Sequence, residues 1–276
     1  MHLPIARKFI CSDFQQGQGA VAYYLRPMPS SSRLITIPFS HYCEKARWAG
    51  DHLHAPYVEE PHIPGGHLRA VNKVGGKTVP VLVTEAETFT DSTEILHHFD
   101  RAVPPEKRLF PVDPGEYADV AAFEESFDAD LGPATRLLVY HHGLSDQGML
   151  VRVVSPSLTR LQRVAFRALL VPLAPQLRKF YRIDDHTAAK AVTTVRGIFE
   201  RVGAALADGR EFLVGSRFTA ADLTFAALAA PVLMPPKHPS FGSNLDDAPG
   251  ALRELMTSLR ATPAGAYVLR MYREHR

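Results

Sequence analysis

The spacing of apolar residues changes within residues 34–53, and this change limits the folds open to the chain. Leu34, Ile35 and Ile37 form a short apolar run that ends at Pro38, as in a buried strand. After Ser40 the apolar side chains follow one helix face: Tyr42, Ala46, Ala49 and Leu53. A strand that runs into a helix through a capping serine predicts an α/β unit. The unpaired N–H groups at such a helix start also favour an anion.

Ser40 and Cys43 have the spacing of a redox dithiol, with serine in the first place. In one interpretation Ser40 is only an N-cap and Cys43 is a small buried hydrophobic residue. In the other, the serine hydroxyl acts on an anion held at the helix start. These four residues alone leave both interpretations open.

Charge and cysteine content exclude several classes of protein. Lys and Arg number 31 against 29 Asp and Glu, so the basic excess expected of a nucleic-acid-binding protein is absent. Cys11 and Cys43 are the only cysteines, which predicts a reducing, cytoplasmic location. The most apolar candidate membrane span, residues 161–180, is interrupted by arginines and prolines. We therefore predict no membrane partner, and no signal peptide at the N-terminus.

The remaining patterns predict four segments. Residues 1–32 are expected to form a poorly ordered extension. Residues 33–102 read as strand, helix, strand, helix, strand, strand, helix, with a hairpin between 78–83 and 87–90. The proline-rich stretch 103–115 is typical of a linker, and 116–276 shows helical spacing throughout.

One proline motif and one capping motif stand out in these segments. Pro80 lies inside a predicted strand, where a bend, for example at a cis X-Pro bond, would accommodate it. Thr219 and Asp222 have capping-box spacing before a helix that is apolar all round, residues 220–233. We expect that helix to be buried and the box to have a structural role.

Four motifs in order resemble the cytosolic glutathione transferase superfamily, and the resemblance extends from Leu34 to the C-terminus. They are the serine-led start of the first helix (38–47), a Val-Pro-x-Leu strand (79–82), an acidic-Ser-x-x-Ile helix start (91–95) and the Thr219/Asp222 box. The resemblance implies an α/β thioredoxin-like N-terminal domain followed by an all-α C-terminal domain.

By this resemblance the protein binds glutathione as a co-substrate, needs no metal, and acts as a homodimer in detoxification of small hydrophobic electrophiles. Ser40 stands at the family's catalytic position, where a hydroxyl can stabilise a thiolate. Tyr42 and Cys43 are the alternative catalytic residues, and His41 is a further candidate for thiol activation. The residues implied to bind glutathione are Phe39, Lys77, Val79, Pro80, Asp91 and Ser92.

Two other activities remain as alternatives. One is a non-catalytic glutathione-binding or scaffold protein of the same fold, suggested by His41 in place of a common proline and by a longer loop before Pro80. The other is a glutaredoxin-like oxidoreductase that uses Cys43. The histidine pairs of the chain lack the spacing and partners of a zinc site, so we predict no metal.

Overall fold

A four-stranded sheet with three helices forms the first part of the computed structural model, which describes residues 32–154, 158–241 and 244–276. We call this part, residues 32–100, the sheet half. Its elements are β1 (Arg33–Thr36), α1 (His41–His52), β2 (Val58–Pro61), α2 (His67–Lys73), β3 (Val81–Val83), β4 (Thr88–Phe89) and α3 (Ser92–Asp100). The predicted extension lies, apart from Ser32, outside the described residues.

The strand order in the sheet is β2-β1-β3-β4. Strands β1 and β2 are parallel, whereas β1 pairs with β3 in antiparallel register, with Ile35 opposite Val81. The predicted hairpin is confirmed, since β3 and β4 are antiparallel. The predicted strand 78–83 is shorter than expected and begins only after the Val79–Pro80 peptide bond, which is cis. This register places Val79 beside the end of β1.

Eight helices form the rest of the described chain, which we call the helical half. They are α4 (Pro114–Ser126), α5 (Gly132–Gly143), α6 (Gln147–Val154), α7 (Arg160–Phe180), α8 (Asp185–Ala205), α9 (Ala220–Ala229), α10 (Gly250–Arg260) and α11 (Pro263–His275). Gly132 and Pro133, residue types that often break helices, occupy the first two positions of α5. A π-helical turn, Phe127–Leu131, joins α4 to α5 and absorbs the irregularity.

Helix α9 is the centre of the main core, and each of its ten residues is buried, as predicted. The capping box is also present, because the Asp222 carboxylate accepts from the backbone N–H of Thr219 at 2.7 Å. The same carboxylate accepts from the Leu213 N–H at 2.8 Å and from the Tyr267 hydroxyl. A buried acid with this many donors ties the preceding loop and α11 to the start of α9.

A second, smaller apolar cluster lies over one end of the molecule and draws mainly on α6, α7 and α10. From the sheet half, Phe39 packs against it, with its ring 5.5 Å from that of Phe166 on α7. Helix α7 therefore lies against the loop that leads into α1. None of the helices within the described ranges has the length and apolar character needed to cross a membrane.

Candidate active site

Ser40 forms the corner between β1 and α1. Its backbone is extended, and its Oγ accepts from the Cys43 N–H at 3.4 Å, so it is the N-cap of α1. The residue is half-buried. A hydroxyl has one hydrogen to donate as well as lone pairs, so the cap does not use the Ser40 hydrogen, which reaches the Cys43 thiol. Because a neutral thiol is a weak acceptor, a thiolate outside the helix can take this hydrogen.

Cys43 is fully buried, one turn into α1. Its Sγ accepts from the Ile37 N–H at 3.4 Å, and burial raises the pKa of the thiol. A thiol of this kind is mostly protonated near neutral pH and has no path to a disulfide in solution. The geometry therefore favours a packing role for Cys43 over a redox role.

His41 and Tyr42 make hydrogen bonds to the helical half. His41 donates from Nε2 to the Gly132 carbonyl at 2.9 Å, and burial lowers its pKa to about 3. Tyr42 donates its hydroxyl hydrogen to the Asp128 carbonyl at 2.8 Å, and burial raises its pKa. Since both donors are committed to backbone oxygens, Ser40 is the better placed of the three to donate to a thiolate.

The other predicted site residues lie at the same end of the sheet half as Ser40. Sheet register holds some of them there, and a contact between α3 and α1 holds the others. Sheet register places Val79, half-buried, beside the end of β1, with buried Pro80 next to it. The α3 start is held beside α1 because Lys45 Nζ donates to Thr93 Oγ1 at 3.1 Å. Asp91 is the exposed N-cap of α3. The β1 corner, the cis-proline turn and the α3 start are thus neighbours.

The remaining predicted binding residues differ in exposure. Ser92 is buried at the first position of α3, and Lys77 is exposed in the turn before β3. Phe39 is half-buried against α7. Asp91 accepts from the Thr93 N–H at 2.8 Å, which leaves its second carboxylate oxygen open to a ligand.

Three cations near α1 were missed by the sequence analysis. Lys45 is fully buried and binds the carboxylates of Glu124 and Asp128 from the helical half. Arg47 donates to the Pro38 carbonyl at 2.6 Å and to Glu59 at 2.8 Å, so it fixes the loop that presents Ser40. Charged residues on the faces of a helix start that otherwise carries apolar residues were the available signal for these two.

Arg136 on α5 is the third cation, and nothing in the sequence marked it. Its guanidinium lies 5.8 Å from the centre of the Tyr42 ring and 4.7 Å from that of Tyr181. Within the described ranges we find no hydrogen bond or ion pair for this group. Its charge also lowers the pKa of His41, which places it close to the start of α1.

Two surface clefts are lined by residues other than Ser40. One, of about 710 Å³, is lined by residues including Arg47, Tyr57 and Ser240. The other, of about 920 Å³, lies along β4 and α3 and includes Phe89 and Tyr117. Neither is lined by the predicted site residues, and among the described residues no cluster of His, Cys, Asp and Glu could hold a metal ion.

Comparison with known families gives two matches along the chain. The model of the glutathione S-transferase N-terminal domain matches residues 34–107, and that of the glutathione S-transferase C-terminal domain matches residues 161–262. No sequence among curated proteins matches the chain at a significant level.

Solved structures share the fold at low sequence identity. The β-etherase LigF from Sphingobium sp. strain SYK-6 is 16% identical with a TM-score of 0.55, over 87% of this chain and 98% of that one. A possible transferase of the same kind from Rhodopseudomonas palustris is 15% identical with a TM-score of 0.54, over 87% and 92%. A glutathione S-transferase from Methylobacterium radiotolerans, in complex with glutathione sulfonate, is 18% identical with a TM-score of 0.50, over 87% and 94%.

Proposed function

The chain belongs to the glutathione S-transferase family, and from that premise we propose that it conjugates glutathione to a small electrophile, with Ser40 as the catalytic residue. The observation that carries the proposal is the half-buried Ser40 hydroxyl at the N-terminus of α1, whose hydrogen meets the weakly accepting Cys43 thiol. The neighbouring His41 and Tyr42 donors are already committed to carbonyl oxygens.

The site supports this chemistry by favouring a negative sulfur. A free thiol has a pKa of about 8.5, so little thiolate is present at neutral pH. A hydroxyl donor and the N–H groups of a helix start both favour the charged form, and each pKa unit of lowering corresponds to about 1.4 kcal/mol. The Arg136 guanidinium, beside Tyr42, adds a positive charge that also favours the thiolate.

The tripeptide would lie across the neighbouring turns. Backbone groups of Val79 suit its cysteinyl part, and the exposed Asp91 carboxylate suits its ammonium group. Ser92 and the N–H groups of α3 suit the adjacent carboxylate. Lys77 is placed to meet the glycyl carboxylate, and Phe39 and Pro80 supply apolar contacts. The thiolate then attacks an electrophilic carbon, a thioether bond forms, and the leaving group departs with the electron pair of the bond that breaks.

A redox alternative has less support, because Ser40 cannot form a mixed disulfide and Cys43 is buried with a raised pKa. We also propose a cytoplasmic homodimer, on the basis of family membership and the two-cysteine sequence. One structural neighbour is a β-etherase, so ethers are a class of electrophile worth testing alongside aryl halides.

Replacing Ser40 tests the proposal. We expect Ser40→Ala to reduce turnover with an aryl halide by about 10- to 100-fold, since a hydrogen bond to a charged group contributes about 1.5–3 kcal/mol. Bound glutathione should also titrate to thiolate at higher pH, as followed by ultraviolet absorbance. Ser40→Asp keeps the cap but places a negative charge beside the sulfur, so its turnover should be at least as low.

Thr262→Ala is the matched control, because Thr262 caps α11 by accepting from the Gly265 N–H at 3.0 Å. It should cost about 1 kcal/mol of stability, as Ser40→Ala should, and leave turnover unchanged. Full turnover in Ser40→Ala would refute the assignment. Glutathione binding by calorimetry with no turnover of any electrophile by the native chain would instead support the scaffold alternative.

A further inference from the structure

Helix α7 exposes an unusual set of large apolar side chains. Leu161, Val164 and Val171 are 79%, 68% and 63% exposed, and Phe180 at the helix end is 78% exposed. The other large apolar side chains that are exposed in the described part of the chain are scattered over several elements: Val58, Leu68, Val112 and Tyr117. Scattered exposure is ordinary, whereas a contiguous group on one helix indicates an interaction surface.

Three of these four side chains form a stripe, and Phe180 lies outside it. At 3.6 residues per turn, Leu161, Val164 and Val171 fall within about a quarter of the helix circumference. Ala168, Pro172 and Pro175 are exposed on the same face. The opposite face carries the buried residues Phe166, Leu170 and Ala174. Helix α7 is therefore apolar on both sides, and only one of them is covered by the protein.

The charges on this helix have one sign. Residues 160–183 contain five arginines and one lysine, and no Asp or Glu, although the whole chain is nearly balanced at +2. Arg160 and Arg167 are exposed and lie along one edge of the stripe. Lys179 is exposed near its far end. We call this surface, built from Leu161, Val164, Val171, Arg160 and Arg167, the α7 face.

We propose that the α7 face docks the protein on the surface of an anionic lipid membrane. An apolar stripe edged by arginines is the arrangement by which an interfacial helix inserts its apolar side chains among acyl chains and pairs its cations with lipid phosphates. The contact is peripheral, since only one face of one helix takes part. It replaces the earlier prediction of no membrane partner, which considered only spanning segments. This inference goes beyond the proposed transferase activity and does not depend on it.

Charge argues against a second copy of the chain as the occupant. A twofold symmetric contact through the α7 face would bring two cationic helices together, with no carboxylate on either helix to offset the repulsion. Aliphatic side chains along the stripe also offer no ring on which nucleic-acid bases could stack. An anionic lipid surface satisfies both the charge and the apolar stripe.

Vesicle co-sedimentation of the full chain tests this proposal, with phosphatidylcholine vesicles with and without phosphatidylglycerol. We expect binding that depends on phosphatidylglycerol and weakens as salt is raised. A triple variant, L161S/V164S/V171S, and a charge variant, R160Q/R167Q, should each bind at least tenfold more weakly. The matched control is V58S/V112S, which replaces two equally exposed valines outside α7 and should bind like the native chain.

Circular dichroism and glutathione conjugation should be unchanged in all variants, because the replaced side chains are exposed. The proposal is overturned if the native chain ignores anionic vesicles or if the α7 variants bind as well as the control. It is also overturned if light scattering shows an oligomer of the native chain that the triple variant does not form. That result would assign the α7 face to a second copy. Binding of a DNA duplex that only the charge variant loses would likewise overturn it.

Discussion

The two sides of α1 each hold a buried cation, and the two cations differ in what they connect. Lys45 faces the helical half and binds Glu124 and Asp128, which lie 79 and 83 residues away in sequence. Arg47 faces β2 and binds Pro38, Glu44 and Glu59, all within 12 residues. The first joins the two halves of the molecule, and the second fixes the local loop that presents Ser40.

This difference separates assembly of the fold from alignment of the site. A buried cation with distant carboxylate partners stabilises the docking of the halves, and its loss leaves charges buried without a partner. A buried arginine that holds a backbone carbonyl chiefly sets a loop conformation. Stability and catalysis should therefore respond differently to changes on the two sides of α1.

The largest effect is expected from Lys45→Met. Glu124 is 3% exposed and Asp128 is 24% exposed, so removing the ammonium group leaves carboxylates buried without their cation. We expect a loss of about 3–5 kcal/mol in the free energy of unfolding, measured in urea. Lys77→Met, in an exposed turn, is the control and should change stability by no more than about 0.5 kcal/mol. A small effect of Lys45→Met would show that the ion pairs of Lys45 do not hold the two halves together.

Arg47→Met should cost less stability and more activity. Glu44 keeps a second partner, Arg276, whose Nε donates to it at 2.6 Å, and Glu59 is partly exposed. We expect a loss of about 1–3 kcal/mol, together with turnover reduced beyond what the unfolded fraction explains. Arg33→Met breaks an exposed pair with Glu60 and serves as control. Native turnover in Arg47→Met would contradict the alignment role.

Acid should destabilise the packing of α1 against the helical half, because the unfolded state protonates His41 more readily than the folded state does. Its folded pKa of about 3 lies below the ordinary 6.5, so as pH falls the unfolded state takes up a proton before the folded state does. Stability is lost below pH 6.5, by about 1.4 kcal/mol per pH unit, or about 2 kcal/mol at about pH 5.

His41→Gln retains a donor for the Gly132 carbonyl and removes this titration. Its stability should fall less steeply than that of the native chain between neutral pH and pH 5, by about the same 2 kcal/mol. Partly buried histidines that do not face His41, such as His52, titrate alike in both proteins. If the free energies of unfolding of the two proteins fall equally with pH, His41 does not contribute to the acid sensitivity.

The smallest effect is expected from Arg136→Gln. Its ring contacts with Tyr42 and Tyr181 should contribute about 0.5–1 kcal/mol to stability. Loss of the positive charge should raise the pKa of bound glutathione by a few tenths of a unit at the effective dielectric of a half-buried site. Titration of the bound thiol measures this, with Arg196→Gln on α8 as control. An unchanged pKa of the bound thiol would show that Arg136 acts only through its packing contacts.

Much of the sheet half could be predicted from the sequence because its signals are local. The change of period at Ser40, the proline before β3 and the hairpin spacing each depend on residues within one turn or one strand of each other. The same holds for the Thr219/Asp222 box. The roles assigned to Ser40, Val79, Asp91 and the other site residues remain predictions.

Tertiary structure alone decided the partners of α1 and the outward face of α7. No sequence rule reveals that Lys45 finds Glu124, or that His41 finds Gly132 across 91 residues, because such pairs depend on how the halves dock. Residues 160–180 have helical spacing in sequence, but only packing shows that Phe166 is covered and Leu161 is not. The sequence by itself determined several helix starts, such as those capped by Ser40, Asp91 and Thr219, since capping is short-range. Burial of charges and exposure of apolar faces are long-range, and the assembled fold set them.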